Sequence, residues 1–230
     1  MNYFKKLNKS MKEDDEMDEV YIEHECETNL KVLKIPSFIK SFCYNGNSTL
    51  ECIPKTVEKL ELHENFKRNL FSIPSTIKYL KIGINTQMEG LEKIIDLEVL
   101  HLCNGFEKEI NQYPPNLKIL ILQDRQNNII QILNNLPNTI ETIIFYNTSY
   151  TLEQLNNNEI DNLPINLNKI FFIEAHEYRH NQYFDDETIE VYTNKFKIPF
   201  GCELIFSKHI EINYCNYENF IYMLNNNYII

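Results

Sequence analysis

Apolar positions along the chain follow a phrase that recurs seven times, at intervals of about 20 residues. Each copy has a proline slot, followed by apolar residues three, six and eight positions later. The slot holds Pro36, Pro54, Pro74, Ile94, Pro114, Pro137 and Pro164. The last apolar position holds Tyr44, Leu62, Ile82, Leu102, Leu122, Phe145 and Phe172. Every copy fills all three apolar positions, so the pattern predicts a solenoid built from stacked coils.

The last two apolar positions of each copy are two residues apart, which is the period of a β-strand with one buried face. Proline supplies no N–H and fixes φ, so its slot suits the turn that leads into the strand. One coil cannot bury its apolar row alone, and stacking must supply the core. We therefore predict an α/β-type repeat that is mostly β, with about seven coils of roughly 20 residues and a parallel β-sheet on one face.

Asparagine follows the predicted strand in five copies. It stands three residues beyond the strand at Asn47, Asn65 and Asn85, and one position earlier at Asn104 and Asn147. The resulting pattern, L-x-x-L-x-L-x-x-N, resembles the leucine-rich repeat. That resemblance implies a buried asparagine that satisfies backbone groups of the neighbouring coil. The alternative, in a chain this rich in asparagine, is a set of exposed turn residues.

The phrase is similar to the FNIP repeat, whose coils combine F-N-x-x-I with L-P-x-x-L-x-x-L-x-L. The second half is well kept in six copies, and the first half survives at Asn65-Phe66 through Leu70 and at Phe106 through Ile110. The resemblance runs from about Ile35 to Ala175 and implies a leucine-rich-repeat-like solenoid without catalytic residues. FNIP-repeat proteins often carry an F-box ahead of the repeats. We expect no F-box here, because the residues before Asn29 are few and acidic.

Charge and composition narrow the expected partners and compartment. The net charge is −11, and nine acidic residues lie between Met11 and Glu27 against one base, Lys12. Without a basic stripe, binding to nucleic acid is not expected. Neither a signal peptide nor an apolar run long enough to span a membrane is present, so we expect a cytoplasmic protein with reduced cysteines. We predict an acidic N-terminal segment or cap at 1–28, the repeat solenoid at 29–175 and a C-terminal cap region at 176–230.

The residues between the buried positions should line the concave face of the sheet. In the first four coils they form an ordinary polar mixture that includes Lys59, Glu61, Lys81 and His101. In the last three coils they include a row of apolar side chains: Ile119, Ile121, Ile144, Tyr146, Phe171 and Ile173. Such a row on an open face marks a partner-binding site. The alternative is cover by the chain's own C-terminal segment, since solenoids need capped ends.

One short motif suggests chemistry. His176-Glu177-Tyr178-Arg179-His180 matches H-E-x-x-H, in which two histidines on a helix bind zinc and the glutamate acts as general base. The motif follows a predicted strand directly, and Arg179 stands where a metalloprotease usually keeps an uncharged residue. We therefore interpret these residues as surface residues and expect neither a cofactor nor a catalytic site. A zinc-dependent hydrolase through His176, Glu177 and His180 stays open as an alternative.

The sequence favours a non-enzymatic repeat protein that serves as a protein–protein interaction scaffold and uses the concave sheet face. Its partner is an unknown protein, with no role for nucleic acid or a membrane. Besides the hydrolase, a second alternative is an expansion copy of the repeat that folds but has no dedicated partner.

Overall fold

The computed structural model of the protein describes residues 19–23, 35–123, 128–146, 160, 162–173, 198–207 and 221. Within these residues, nine strands form one sheet in chain order, and every neighbouring pair is parallel. The strands are β1 (Glu19–Glu23), β2 (Ser41–Asn45), β3 (Lys59–Leu62), β4 (Tyr79–Ile82), β5 (Val99–Leu102), β6 (Ile119–Gln123), β7 (Thr142–Tyr146), β8 (Lys169–Ile173) and β9 (Glu203–Ser207). The predicted fold, a mostly-β solenoid with a parallel sheet on one face, is confirmed.

Strands β2 to β8 coincide with the seven copies of the phrase, and the repeat sets their register. The first strand position of the phrase pairs with its equivalent in every neighbouring coil, as in Phe42 with Leu60 and Leu60 with Leu80. The sheet also continues into both of the predicted end segments. Val20 of β1 pairs with Phe42, and Leu204 of β9 pairs with Ile170. The division of the chain at residues 29 and 175 stays a prediction, but the sheet crosses both boundaries.

The core lies between the sheet and the segments that lead back from each strand to the next proline turn, which we call the return segments. Where the structure describes them, these segments are mostly irregular, with a 3₁₀ helix at Leu91–Lys93 and a helix α1 at Ile129–Asn134. Between β2 and β8, each return segment buries at least one apolar side chain, such as Leu50, Phe66 and Phe106. Towards the C-terminal coils the core contains stacked rings, with Phe145, Phe172 and Phe206 at successive centroid distances of 5.0 Å.

The turn before each strand explains the proline slot. The N–H group three residues after the slot donates to the carbonyl of the slot residue, at distances between 3.0 and 3.3 Å. The donor–acceptor pairs are Ile39–Pro36, Val57–Pro54, Ile77–Pro74, Leu97–Ile94, Leu117–Pro114, Ile140–Pro137, Leu167–Pro164 and Cys202–Pro199. The slot residue acts as an acceptor in each turn, a role that proline fills without loss, and Ile94 also donates its N–H to the Leu91 carbonyl at 3.1 Å. The last pair, Cys202–Pro199, is an additional turn of the same kind, ahead of β9.

Charged residues of alternating sign occupy the position just before the strands and pair across neighbouring coils. Lys40 and Lys78 each lie 3.2 Å from a carboxylate oxygen of Glu58, and Lys118 lies 3.4 Å from Glu98. Partial burial would raise the pKa of Glu58, but the hydrogen bonds from Lys40 and Lys78 lower it below its usual value. We call these residues the charge ladder. Because these ion pairs are partly exposed, they contribute little stability, but they join charges of opposite sign on neighbouring coils.

The asparagines that follow the strands connect coils, as the resemblance implied, but they are exposed rather than buried. Asn65 donates to the side chain of Asn45, and Asn85 donates to the carbonyl of Glu64. Asn47 accepts from the N–H of Lys67. These side chains lie at the rim of the coils, where water reaches their remaining polar atoms. Asn147 lies outside the described residues.

Candidate interaction surfaces

The outer face of the sheet gathers the predicted apolar row. Parallel register places Ile121, Ile144 and Phe171 side by side on β6, β7 and β8. Tyr146 and Ile173 are paired one step further along the strands. The structure therefore brings the six predicted residues together on one face, with Ile119 at the other end of β6. They form an apolar cluster that we call the sheet-face cluster, which Tyr79 and Val99 extend towards the first coils.

The sheet-face cluster is buried. The six predicted residues expose between 0 and 8% of their surface. Partly buried Ile205 and Ile221 pack against the cluster, and Ile221 belongs to the predicted C-terminal cap region. This packing favours the alternative reading, in which the C-terminal part of the chain covers the face. A partner contact at Ile119, Ile121, Ile144, Tyr146, Phe171 and Ile173 stays a prediction that now requires a partner able to displace this cover.

The polar half of the same face holds a buried ion cluster. The carboxylate of Glu61 lies 2.9 Å from the ammonium group of Lys59 and 3.4 Å from that of Lys81. Lys59 also lies 5.6 Å from the centroid of the Tyr79 ring, within cation–π range. Burial raises the pKa of Glu61, but Lys81 and Lys59 lower it by more, so the net shift is downward. The three side chains form a charged core element rather than a solvated surface.

Next to this cluster, the Tyr79 hydroxyl and Nδ1 of His101 form a buried hydrogen bond of 2.8 Å. Burial lowers the pKa of His101 well below its usual value, and the positive charge of Lys81 adds to the shift. Burial likewise raises the pKa of Tyr79 well above its usual value. Burial also raises the pKa of the Cys103 thiol to about 11. At neutral pH these groups are therefore uncharged, and the thiol is a poor nucleophile.

Acid should destabilise the protein through His101. The folded protein holds this ring neutral, whereas the unfolded chain takes up a proton below about pH 6.5. The contribution of His101 to stability is therefore fully present above that pH. At lower pH, the free energy of unfolding should decrease by up to roughly 1.4 kcal/mol per pH unit. Urea unfolding between pH 7.5 and 5 measures the slope, which His101→Gln should reduce and His63→Gln should leave in place. An unchanged slope in His101→Gln would contradict the prediction.

The residues of the HEYRH motif, His176 to His180, lie outside the described residues. Across the part of the chain that the structure describes, no group of three or more His, Cys, Asp or Glu side chains is arranged to hold a metal ion. The metal alternative therefore depends on the motif alone.

Two adjoining open clefts lie along the return segments of four successive coils, those of β2 to β5, and we call them together the groove. Its first part has a volume of about 680 Å³ and its second about 410 Å³, and both are lined by Phe71 and Gln87. The first part is also lined by Asn47, Thr49, Glu51, Lys67, Arg68, Asn69 and Ser72. The second part is also lined by Met88, Glu89, Gly90, Glu92, Lys108, Glu109, Asn111 and Gln112. Phe71 is 55% exposed where the two parts meet.

Comparison with known protein families identifies a known repeat in part of the chain. Residues 44–84 match the family model of the FNIP Repeat. The match confirms the resemblance read from the phrase, and it runs from the end of β2 to just beyond β4. The FNIP repeat is a non-catalytic repeat. Most residues of the first part of the groove belong to this FNIP-repeat stretch. No curated protein and no solved structure matches the chain significantly.

Within the FNIP-repeat stretch, Phe66 and Leu70 are buried in the core, as expected for the F-N-x-x-I half of the repeat. Phe71 follows Leu70 directly and points the other way, into the groove. The repeat pattern does not distinguish Phe71 from the other residues of the return segments, because it does not predict which of them are exposed.

Among the described residues, no helix combines the length and the apolar character needed to cross a bilayer.

Proposed function

We propose that the protein is a non-enzymatic protein–protein interaction module that binds its partner through the groove on the return segments. The observation that carries this proposal is the exposed aromatic ring of Phe71 in an open groove of about 680 Å³. Exposed aromatic side chains in clefts are typical anchors of protein interfaces. A repeat scaffold also suits this role, because stacked coils present an extended, rigid surface.

The sheet face is the less accessible of the two surfaces. Its apolar cluster is already packed against Ile205 and Ile221, and its polar half holds a buried ion cluster. A partner at the sheet face must compete with the chain's own contacts, whereas the groove leaves Phe71 exposed. The groove therefore replaces the concave face as the first candidate contact.

Site-specific photo-crosslinking tests the proposal. A photoreactive phenylalanine analogue replaces Phe71 in one variant and Ile165 in another, and both proteins are irradiated in the cells that produce them. Ile165 is a suitable control because it is 78% exposed on a proline turn outside the groove. We expect a specific partner protein to be captured from position 71 and not from position 165. Excess wild-type protein should compete for this capture, and Phe71→Asp protein should not.

Failure of capture at position 71 would overturn the groove as the contact. If a variant with the analogue at Phe38, which is 57% exposed, also captured no protein, the expansion copy without a partner would be favoured. The hydrolase alternative predicts something different, namely one zinc ion per chain that is lost in His176→Ala. Metal analysis of the purified protein distinguishes it.

We also propose that the module works in a reducing compartment such as the cytoplasm. Cys43, Cys52, Cys103 and Cys202 are free thiols, which is the state that such compartments maintain.

A further inference from the structure

We propose that the groove binds an extended peptide segment in which an acidic and a basic side chain flank apolar residues, with the two charges about three residues apart. This inference rests on the proposed function and adds the chemistry of the partner. It follows from three features of the groove: a fixed aromatic platform, opposite charges at its two ends, and the distance between those ends.

The aromatic platform is held in place by contacts with two neighbouring residues, Gly90 and Lys93. Gly90, with φ of 95°, lies beside the ring, and a Cβ atom there would come within 2.6 Å of Phe71 Cδ1 and 2.8 Å of the Phe71 nitrogen. The close approach therefore requires glycine. The ammonium group of Lys93 lies 4.4 Å from the ring centroid, within cation–π range. Although Phe71 is exposed, its ring is preorganised, which lowers the entropy cost of binding an apolar side chain.

The first part of the groove is basic. Lys67 and Arg68 line it side by side, and only Glu51 among its lining residues is acidic. Arg68 donates from Nε to the carbonyl of Asn47 at 2.6 Å, which orients the guanidinium group and leaves its other N–H groups for a ligand. An oriented guanidinium group is well suited to bind a carboxylate.

The second part of the groove is acidic. Glu89, Glu92 and Glu109 line it, and the ammonium group of Lys108 donates to the carbonyl of Asn85. Counting only described residues, Lys67, Glu89, Glu92 and Glu109 take part in no ion pair. The charge ladder, which directly precedes the strands, pairs its charges across coils instead. The unpaired charges in the groove are therefore available to a ligand of complementary charge.

The distance between the two ends sets the peptide spacing. Lys67 and Arg68 belong to the coil of β3, and Glu109 belongs to the coil of β5. Neighbouring coils are about 4.8 Å apart, so these ends are separated by roughly 10 Å. An extended chain covers that distance in about three residues, at roughly 3.3 Å each. Phe71 lies between the two ends, under the apolar residues of such a peptide.

Labelled peptides test the inference directly by fluorescence polarisation with the full chain. The probes are the peptides GDLLKG, its reverse GKLLDG and the neutral GNLLQG. We expect one of the two charged peptides to bind roughly tenfold more tightly than the neutral one, with the preference falling as salt is raised. The chain direction in the groove decides which charged order is preferred.

A charge-swapped variant makes the test specific. Lys67→Glu, Arg68→Glu, Glu89→Lys, Glu92→Lys and Glu109→Lys together invert the charges of the groove, and the preferred order of the two charged peptides should invert with them. The control variant, Glu98→Lys with Lys118→Glu, inverts a ladder pair away from the groove and should leave the preference unchanged. Equal binding of all three peptides, or no binding at all, would overturn the inference. If crosslinking at position 71 still captured a partner, the proposed function would survive that result.

Discussion

Ile144→Asp should abolish cooperative folding of the protein. Ile144 is fully buried at the centre of the sheet-face cluster, paired between Ile121 and Phe171. A carboxylate at that position has no cation beside it among the described neighbours, and the cover that contains Ile221 would have to separate to hydrate it. We expect a loss of at least about 4 kcal/mol, a large share of the total stability of a domain. Circular dichroism during urea and thermal unfolding measures this loss.

The matched control for Ile144→Asp is Ile165→Asp. Ile165 is the same residue type in the next coil but is 78% exposed, so its replacement should change stability by no more than roughly 0.5 kcal/mol. Ile173→Asp, in the same cluster as Ile144, should behave like Ile144→Asp. If Ile144→Asp instead folded with wild-type stability and lost a partner, the sheet face would be an exposed binding site after all.

The sequence predicted the polar and the apolar half of the sheet face, but it could not predict that the segment containing Ile221 packs against the apolar half. The phrase fixes which residues alternate along each strand, and parallel pairing of equal positions then fixes which of them become neighbours, as for Ile121 and Ile144. The cover includes Ile221, which belongs to no copy of the phrase. A contact between a repeat and a non-repeating segment leaves no periodic signal. The sequence therefore offered cover by the C-terminal segment as one of two alternatives but could not distinguish between them.

Strand β9 was missed because its coil is one residue shorter than the phrase. The turn itself is kept, since the Cys202 N–H donates to the Pro199 carbonyl at 3.1 Å. The strand positions Leu204 and Phe206 then follow Pro199 by five and seven residues, whereas the phrase demands six and eight. A strand tolerates this deletion because the sheet requires only that Leu204 face Ile170 and Phe206 face Phe172. A fixed spacing rule cannot allow for it.

Strand β1 and the groove were missed for different reasons. Val20 and Ile22 of β1 alternate correctly, but two apolar residues in an acidic run without a proline turn are too weak a signal. The groove depends on contacts between coils, such as the close approach of Phe71 to Gly90. These two residues lie on return segments, where the phrase prescribes no residue type. Only the stacked structure shows that they meet.

Glu61→Gln should cause the second large loss of stability, because it would remove the carboxylate that lies beside both Lys59 and Lys81. The Lys59 and Glu61 side chains are only 4% and 9% exposed, and Lys81 is 16% exposed. Removing one partner of a buried ion pair typically costs about 3–5 kcal/mol, since the remaining charge stays buried. The triple variant Lys59→Met, Glu61→Leu, Lys81→Met is the control, and it should recover most of that loss because it removes all three charges together.

The same cluster predicts how stability depends on acid below the range of His101. The pKa of Glu61 is lower in the folded protein than its usual value of 4.5, so its contribution is complete above about pH 4.5 and is lost as pH falls through the folded value. Urea unfolding between pH 5 and 3 should therefore show a steeper loss for the wild type than for the triple variant. If Glu61→Gln kept wild-type stability and pH dependence, the folded state would not depend on the contacts of Glu61 with Lys59 and Lys81. The ion cluster would then contribute no more to stability than an exposed ion pair does.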